Sequence, residues 1–234
     1  MEKSKRKNSL FRKNSFQLYP NQSFASGLNF YKLFWVFFIG CIAGVIIETI
    51  WCLITRFHYE SRTGLIYGPF NLVYGFGALL MTVCLYCLRN RRDLWIIIGG
   101  LAIGTVFEYV CSYLQEVLFG TVSWEYSKFP FNLHGRVNML YSLFWGVLAL
   151  VWVKNLFPLI TKYIEKIPNS FGKVLTWFLL IFMIINTFMS ACVVGRMAGR
   201  YENISPSNKF EEYIDKKYPD ERVKNIYPNM IHVD

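Results

Sequence analysis

Five long apolar runs, parted by short polar segments, leave this chain few folds. They cover about 31–55, 69–88, 94–119, 137–153 and 174–195. Each is close to the ~20 residues that a helix needs to cross the hydrocarbon of a bilayer. Inside lipid every backbone N–H and C=O must find a partner in the protein, and a helix supplies its own. The expected fold is therefore an all-α integral membrane protein with about five transmembrane helices. Charged residues make up only 17% of the chain, against roughly 25% in soluble domains. The fourth run is the shortest and is expected to extend past Lys154, whose ammonium can snorkel to the interface.

A net charge of +10 is compatible with a nucleic-acid partner, but the cations sit beside the apolar runs rather than in one patch. They read as orientation signals, and no nucleic-acid partner is expected. Residues 1–32, the loop with Arg89, Arg91 and Arg92, and the loop from Lys154 to Lys173 are the basic ones. This places the N-terminus in the cytoplasm and, after five crossings, the tail outside. Residues 1–29 are expected to be a basic, disordered cytoplasmic segment, since no short apolar core of a secretory signal precedes the first run. Residues 30–196 form the membrane domain and 197–234 a polar tail. The six cysteines lie in or beside the runs and lack the spacing of a zinc site or disulfide framework. No metal or cofactor is expected.

Within the runs two glutamates recur at one spacing. Gly40, Gly44 and Glu48 are followed 60 residues later by Gly100, Gly104 and Glu108. A carboxylate in hydrocarbon costs ~2.5–3.5 kcal/mol on insertion scales, so such groups mark sites or pair with partners. The repetition continues. Gly68-Pro-Phe-Asn-Leu-Val-Tyr-Gly75 matches Gly135-Arg-Val-Asn-Met-Leu-Tyr-Ser142, now 67 residues apart. A competing register pairs Pro69-Phe-Asn-Leu72 with Pro130-Phe-Asn-Leu133 but leaves the second copy in a polar loop. The first register gives two tandem two-helix repeats, 31–88 and 94–153, plus an extra helix at 174–195. Repeats with an even number of spans keep one orientation, so the expected symmetry is a pseudo-twofold along the membrane normal.

That register sets Glu48 and Glu108 at matching depth with Asn71, Tyr74, Asn138 and Tyr141, in the outer half of the bilayer. Asn71 and Tyr74 share a helix face, as do Asn138 and Tyr141. Arg136 is expected at the mouth, able to neutralise one glutamate, with Ser112 and Glu116 on the face of Glu108. Two close carboxylates would favour one shared proton. Such a centre suits a cation or a proton-linked substrate. The same groups also serve as interhelical glue, with the glycines giving close packing.

Three functions remain open on these residues. One is a transport subunit with the glutamates in the path. Another is a membrane-embedded enzyme acting on a lipid headgroup, with a glutamate as general base and Tyr74 or Tyr141 and Arg136 holding an anion. The last is a scaffold whose polar cluster only joins helices. The chain lacks the Gly-x-x-x-x-Gly-Lys-Ser/Thr phosphate loop, so nucleotide hydrolysis is not expected on it. His134 and the aromatic loop 124–136 are expected to form a lid or an interfacial belt. Residues 154–173 form either a coupling helix for an ATPase or a helix lying on the membrane. The amphipathic stretch 209–217 either folds back over the mouth or docks a partner.

Several segments resemble a known family. Gly64-Leu-Ile-Tyr-Gly-Pro-Phe-Asn-Leu-Val-Tyr-Gly-Phe-Gly77, Glu108-Tyr-Val-Cys-Ser-Tyr-Leu-Gln-Glu116, Phe131-Asn-Leu-His-Gly-Arg136, Tyr141-Ser-Leu-Phe-Trp-Gly146 and Lys216-Lys-Tyr-Pro-Asp-Glu-Arg222 are similar to the bacterial family described as putative ABC-transporter permease, type IV. The family pattern carries Cys-Pro where this chain has Asn71-Leu72. The resemblance implies a multi-pass protein of the cell membrane working with a separate ATPase subunit. It assigns no substrate and no catalytic residue.

Overall fold

The computed structural model describes residues 23–233. In chain order the helices are α1 (Phe30–Arg56), α2 (Leu72–Leu85), α3 (Asp93–Phe119), α4 (Met139–Val151), α5 (Phe157–Ile164), α6 (Asn169–Tyr201), α7 (Lys209–Lys217) and α8 (Asp220–Ile226). Four two-residue strands complete it: β1 (Thr121–Val122), β2 (Asn132–Leu133), β3 (Val137–Asn138) and β4 (Ile231–His232). A 3-10 turn, Tyr86–Leu88, extends α2, and a π-helical turn, Trp152–Leu156, joins α4 to α5.

The helix starts are written in asparagine. Asn29, Asn71, Asn138 and Asn208 each accept a hydrogen bond from a free backbone N–H of the first turn. α3 stops at Gly120, whose φ of 59° suits a residue without Cβ. Among the described residues four helices are long and apolar enough to cross a membrane: Phe30–Arg56, Asp93–Phe119, Met139–Ile164 and Asn169–Tyr201. Leu72–Leu88 is apolar but shorter.

That short helix has a structural cause. The Asn71 N–H donates to the carbonyl of Cys41 at 3.1 Å. Cys41 lies about 16 Å beyond the start of α1 at 1.5 Å per residue, so α2 begins in the middle of the bundle and not at its rim. Residues 64–71 reach this depth as irregular backbone. Such backbone is tolerated at membrane depth only when protein satisfies it. α6 does so here: Ser190 Oγ accepts from Ile66 N (2.9 Å), and Asn186 exchanges bonds with the N–H (3.2 Å) and C=O (2.7 Å) of Tyr67. Leu65 and Phe70 are buried with Cys41 and Met183.

The segment 154–173 is not a free-standing helix. The helix that begins at Met139 continues through the π turn to Ile164, leaving a short link before α6. Pro158 has no N–H to donate, and the turn before it widens so that Phe157 N bonds the carbonyl of Trp152.

Of the N-terminal segment expected to lack structure, residues 1–22 lie outside the described residues. Residues 23–29 are packed: Phe24 and Ala25 are buried with Ile164. Nearby, Lys32 is 1% exposed and reaches Glu165 at 2.6 Å. The tail packs on the opposite end of the bundle. β4 pairs antiparallel with β1, matching Thr121 with His232 and Val122 with Ile231. Ile214, Tyr218 and Val223 are buried against Val193 and Ile66. The tail therefore folds back over the loops 57–71 and 120–138.

Two arginines of α6 fasten it. Asp215 accepts from Arg196 Nη2 at 2.6 Å and pairs with Arg200. Arg196 first, and then Arg200, hold its carboxyl below the ordinary 3.8. A carboxyl whose folded value is depressed contributes stability above its unfolded value and loses it as pH falls through the folded one. The clasp is thus intact at neutral pH and fails only below about 3.8. Asp215→Asn is expected to release the tail at neutral pH, read as at least tenfold faster tryptic cleavage at Lys216 and Lys217.

Candidate functional site

The two glutamates stand on helix faces cleared by glycine. A Cβ on Gly40 would lie 2.8 Å from Ala78 Cβ, and one on Gly44 would lie 2.1 Å from Tyr74 Cγ. In the second hairpin a Cβ on Gly100 would lie 2.2 Å from Ala149 Cβ, and one on Gly104 would lie 2.3 Å from Trp145 Cγ. Each α1 or α3 face thus meets the next helix through a small residue, then an aromatic ring. One turn further along stands the glutamate, bonded to that aromatic. The Tyr74 hydroxyl donates to Glu48 Oε2. The Trp145 indole N–H donates to Glu108 Oε2 at 3.0 Å.

The counterpart of Tyr74 is therefore Trp145, not Tyr141. Asn71 and Asn138 cap α2 and α4, but α4 starts one turn earlier relative to its contact with the glycine face. Four residues carry the ring one turn along, so Tyr141 falls outside the bond to Glu108. It stacks instead on Tyr126, with ring centroids 4.8 Å apart. Tyr126 supplies the second donor to Glu108, at 3.1 Å. Burial first, then the Glu108 charge and more weakly that of Glu48, push the Tyr126 phenol far above its ordinary value of 10.

The asparagines do not reach the glutamates. The Asn71 amide donates to the Arg62 carbonyl (3.3 Å), and the Asn138 amide to that of Pro130 (2.8 Å). Arg136 does not neutralise Glu108 either. It pairs with Glu116 at 2.7 Å, donates to Ser112 Oγ at 3.4 Å and lies over the rings of Tyr109 and Tyr113. His134 pairs with the Tyr109 hydroxyl at 2.8 Å. Among the described residues no hydrogen bond or ion pair joins Glu48 to Glu108.

The two centres differ in charge. Glu48 has a cation: Arg62 Nη1 lies 3.4 Å from its Oε1, while Arg62 Nη2 binds Glu60 at 2.6 Å. Asn229 of the tail lies between Glu60 and Arg62; with its amide turned over it donates to the first (3.0 Å) and accepts from the second (2.5 Å). Glu108 is 7% exposed and, among the described residues, its hydrogen-bond donors are two neutral groups, Trp145 and Tyr126.

Sequence reasoning missed Arg62, Glu60, Tyr126, Trp145 and Asn229. For Trp145 the cause is the one-turn offset of α4, and for the others it is how the loops and tail fold back; a repeat register carries no signal for either. Asn186 and Ser190 did carry one, as two polar residues at i, i+4 in an otherwise apolar run.

Toward the N-terminal end the centre is closed. Val36, Met81, Leu85, Ile96, Ala149, Trp152 and Val153 form a continuous apolar cluster beneath it. The fold and this centre define a multi-pass helical membrane protein with ionisable groups held inside its bundle. The chain belongs to the family described as putative ABC-transporter type IV, whose pattern matches residues 35–191. No curated protein and no solved structure matches it.

Proposed function

We propose that this chain is the membrane-embedded subunit of an ABC-type transporter, and that Glu48 and Glu108 form its substrate-facing polar centre. Five crossings, with α2 as a partial one, put the N-terminus in the cytoplasm and the tail outside. The two hairpins act as tandem repeats about an axis near the membrane normal. A separate ATPase supplies the energy. The observation that carries this reading is the irregular segment 64–71, held at the depth of Cys41 beside the Glu48 centre. Broken helices beside ionisable groups are how many transporters build a midplane site. The apolar cluster on one side and the tail on the other make this a closed state, in which Arg62 and Tyr126 occupy carboxylates that a cation or protonated substrate would otherwise engage.

Tagged full-length chain, purified from its native membrane in mild detergent, should bring down a stoichiometric ATPase. Its rate is expected to fall at least tenfold with either Glu48→Gln or Glu108→Gln, at unchanged yield. Absence of an ATPase, or wild-type rates in both variants, overturns the proposal. The saturated donors around Glu108 favour a second reading, in which the centre only holds helices together. Variants that lose stability without losing activity would support that one.

A further inference from the structure

Far from the glutamates, the end of α2 and the π turn enclose a cavity of about 220 Å³. We propose that it binds one anionic phospholipid of the surrounding bilayer, with an acyl chain inside and the phosphate on Arg89.

The walls are hydrocarbon. Tyr86 and Phe157 meet edge to face at 5.9 Å, with Val153 and Pro158 beside them. Trp152 gives its N–H to Thr82 Oγ1 at 2.9 Å, so it presents only ring carbon to the cavity. The wide π turn and Pro158 shape this wall, and π turns recur at functional sites.

Two polar groups at the cavity have unspent capacity. Thr161 lines it, and its buried hydroxyl has no hydrogen-bond partner among the described residues. A helical threonine would ordinarily bond the carbonyl four residues back. Arg89 stands at the rim, 4.0 Å over the Tyr86 ring, and gives one N–H to the Tyr86 carbonyl. No carboxylate pairs with it among the described residues. The nearby Asp93 is taken by Lys154 at 3.0 Å, and Arg91, on the same loop, does not line the cavity.

The occupant must therefore be part hydrocarbon and part anion. A soluble anion has no use for the aromatic walls, and a neutral alkane none for the arginine. The loop 89–92 joins two apolar helices, which places Arg89 at the level of lipid phosphates. Cationic pockets between helices at this level suit anionic headgroups. Val83 and Leu159, next in sequence to the lining residues Thr82 and Pro158, are both about half exposed, as lipid-facing side chains are.

The test is native mass spectrometry of the full-length chain in detergent, titrated with phosphatidylglycerol or phosphatidylcholine of the same acyl chains. The first phosphatidylglycerol is expected to bind roughly fivefold more tightly than phosphatidylcholine. Arg89→Ala should abolish the preference, and Arg91→Ala should leave it. Thr161→Trp, which fills the cavity, should lower first-site occupancy by both lipids. A wild type without preference overturns the proposal. So does an equal loss in Arg89→Ala and Arg91→Ala, which would mean diffuse loop charge, or undiminished first-site binding in a folded Thr161→Trp. Both arginines are on the surface loop, so that comparison stands even if the tryptophan variant fails to fold.

Discussion

Alanine at Gly104 should be among the most destabilising single-methyl changes in this protein. Its Cβ would lie 2.3 Å from Trp145 Cγ, well inside van der Waals contact. Trp145 must then leave its position and with it the bond to Glu108. Overpacking costs about 1–3 kcal/mol, and stranding a buried acceptor costs about 1–3 kcal/mol more. Gly44→Ala should behave alike, because its Cβ would meet Tyr74 at 2.1 Å. Gly195, also in a helix, has nothing within 4 Å, so Gly195→Ala should be neutral or slightly stabilising. Thermal melts in detergent separate the three. A double-mutant cycle adds the mechanism: Trp145→Ala removes the ring but keeps the Cβ that would lie 2.5 Å from the new methyl, so Gly104→Ala should cost less on that background without becoming free. Equal melts for Gly104→Ala and Gly195→Ala would sink the account of the glycine faces.

The second large effect is expected at Glu108. Alanine there leaves the Trp145 indole N–H and the Tyr126 hydroxyl without their acceptor in a site that is 7% exposed. Two unpaired buried donors cost roughly 2–6 kcal/mol. Glutamine keeps a carbonyl oxygen for the indole N–H and can donate its NH2 to the Tyr126 hydroxyl, but both bonds lose the charge of the acceptor, so Glu108→Gln should fall between. Glu48→Ala should cost less, because that side chain is 32% exposed to begin with and Arg62 retains Glu60. The melting order expected is wild type, then Glu48→Ala, then Glu108→Gln, then Glu108→Ala. An inverted order would mean that the charge of Glu48, not the donors of Glu108, holds the hairpins together.

Much of the helical frame was legible along the chain. Apolar run length marks α1, α3 and α6, because lipid demands that backbone groups be satisfied within the segment. The capping of α2 by Asn71 and of α4 by Asn138 was not read there; the structure showed it. The second run was misjudged in length. Pro69 and Phe70 are apolar and extend the run on paper, yet they belong to irregular backbone whose partners are Ser190 and Asn186, far along the chain. The matched Asn-x-x-Tyr pairs were misjudged too. The motif repeats, but the distance from cap to glycine face differs by a turn, and a turn decides which aromatic meets the carboxylate.

By itself the sequence determined that the chain is a helical membrane protein, that glycines four and eight residues before each glutamate clear one face, and that the tail is amphipathic. Those follow from local periodicity, which every helix expresses alone. Only the tertiary structure decided that Trp145 and Tyr126 hold Glu108, that Arg62 holds Glu48, and that the tail closes back through Asn229 and β4. The reason is physical. A carboxylate inside a bundle takes whichever donors the packed helices and folded loops bring within reach, and that packing is long-range, so no local pattern encodes it.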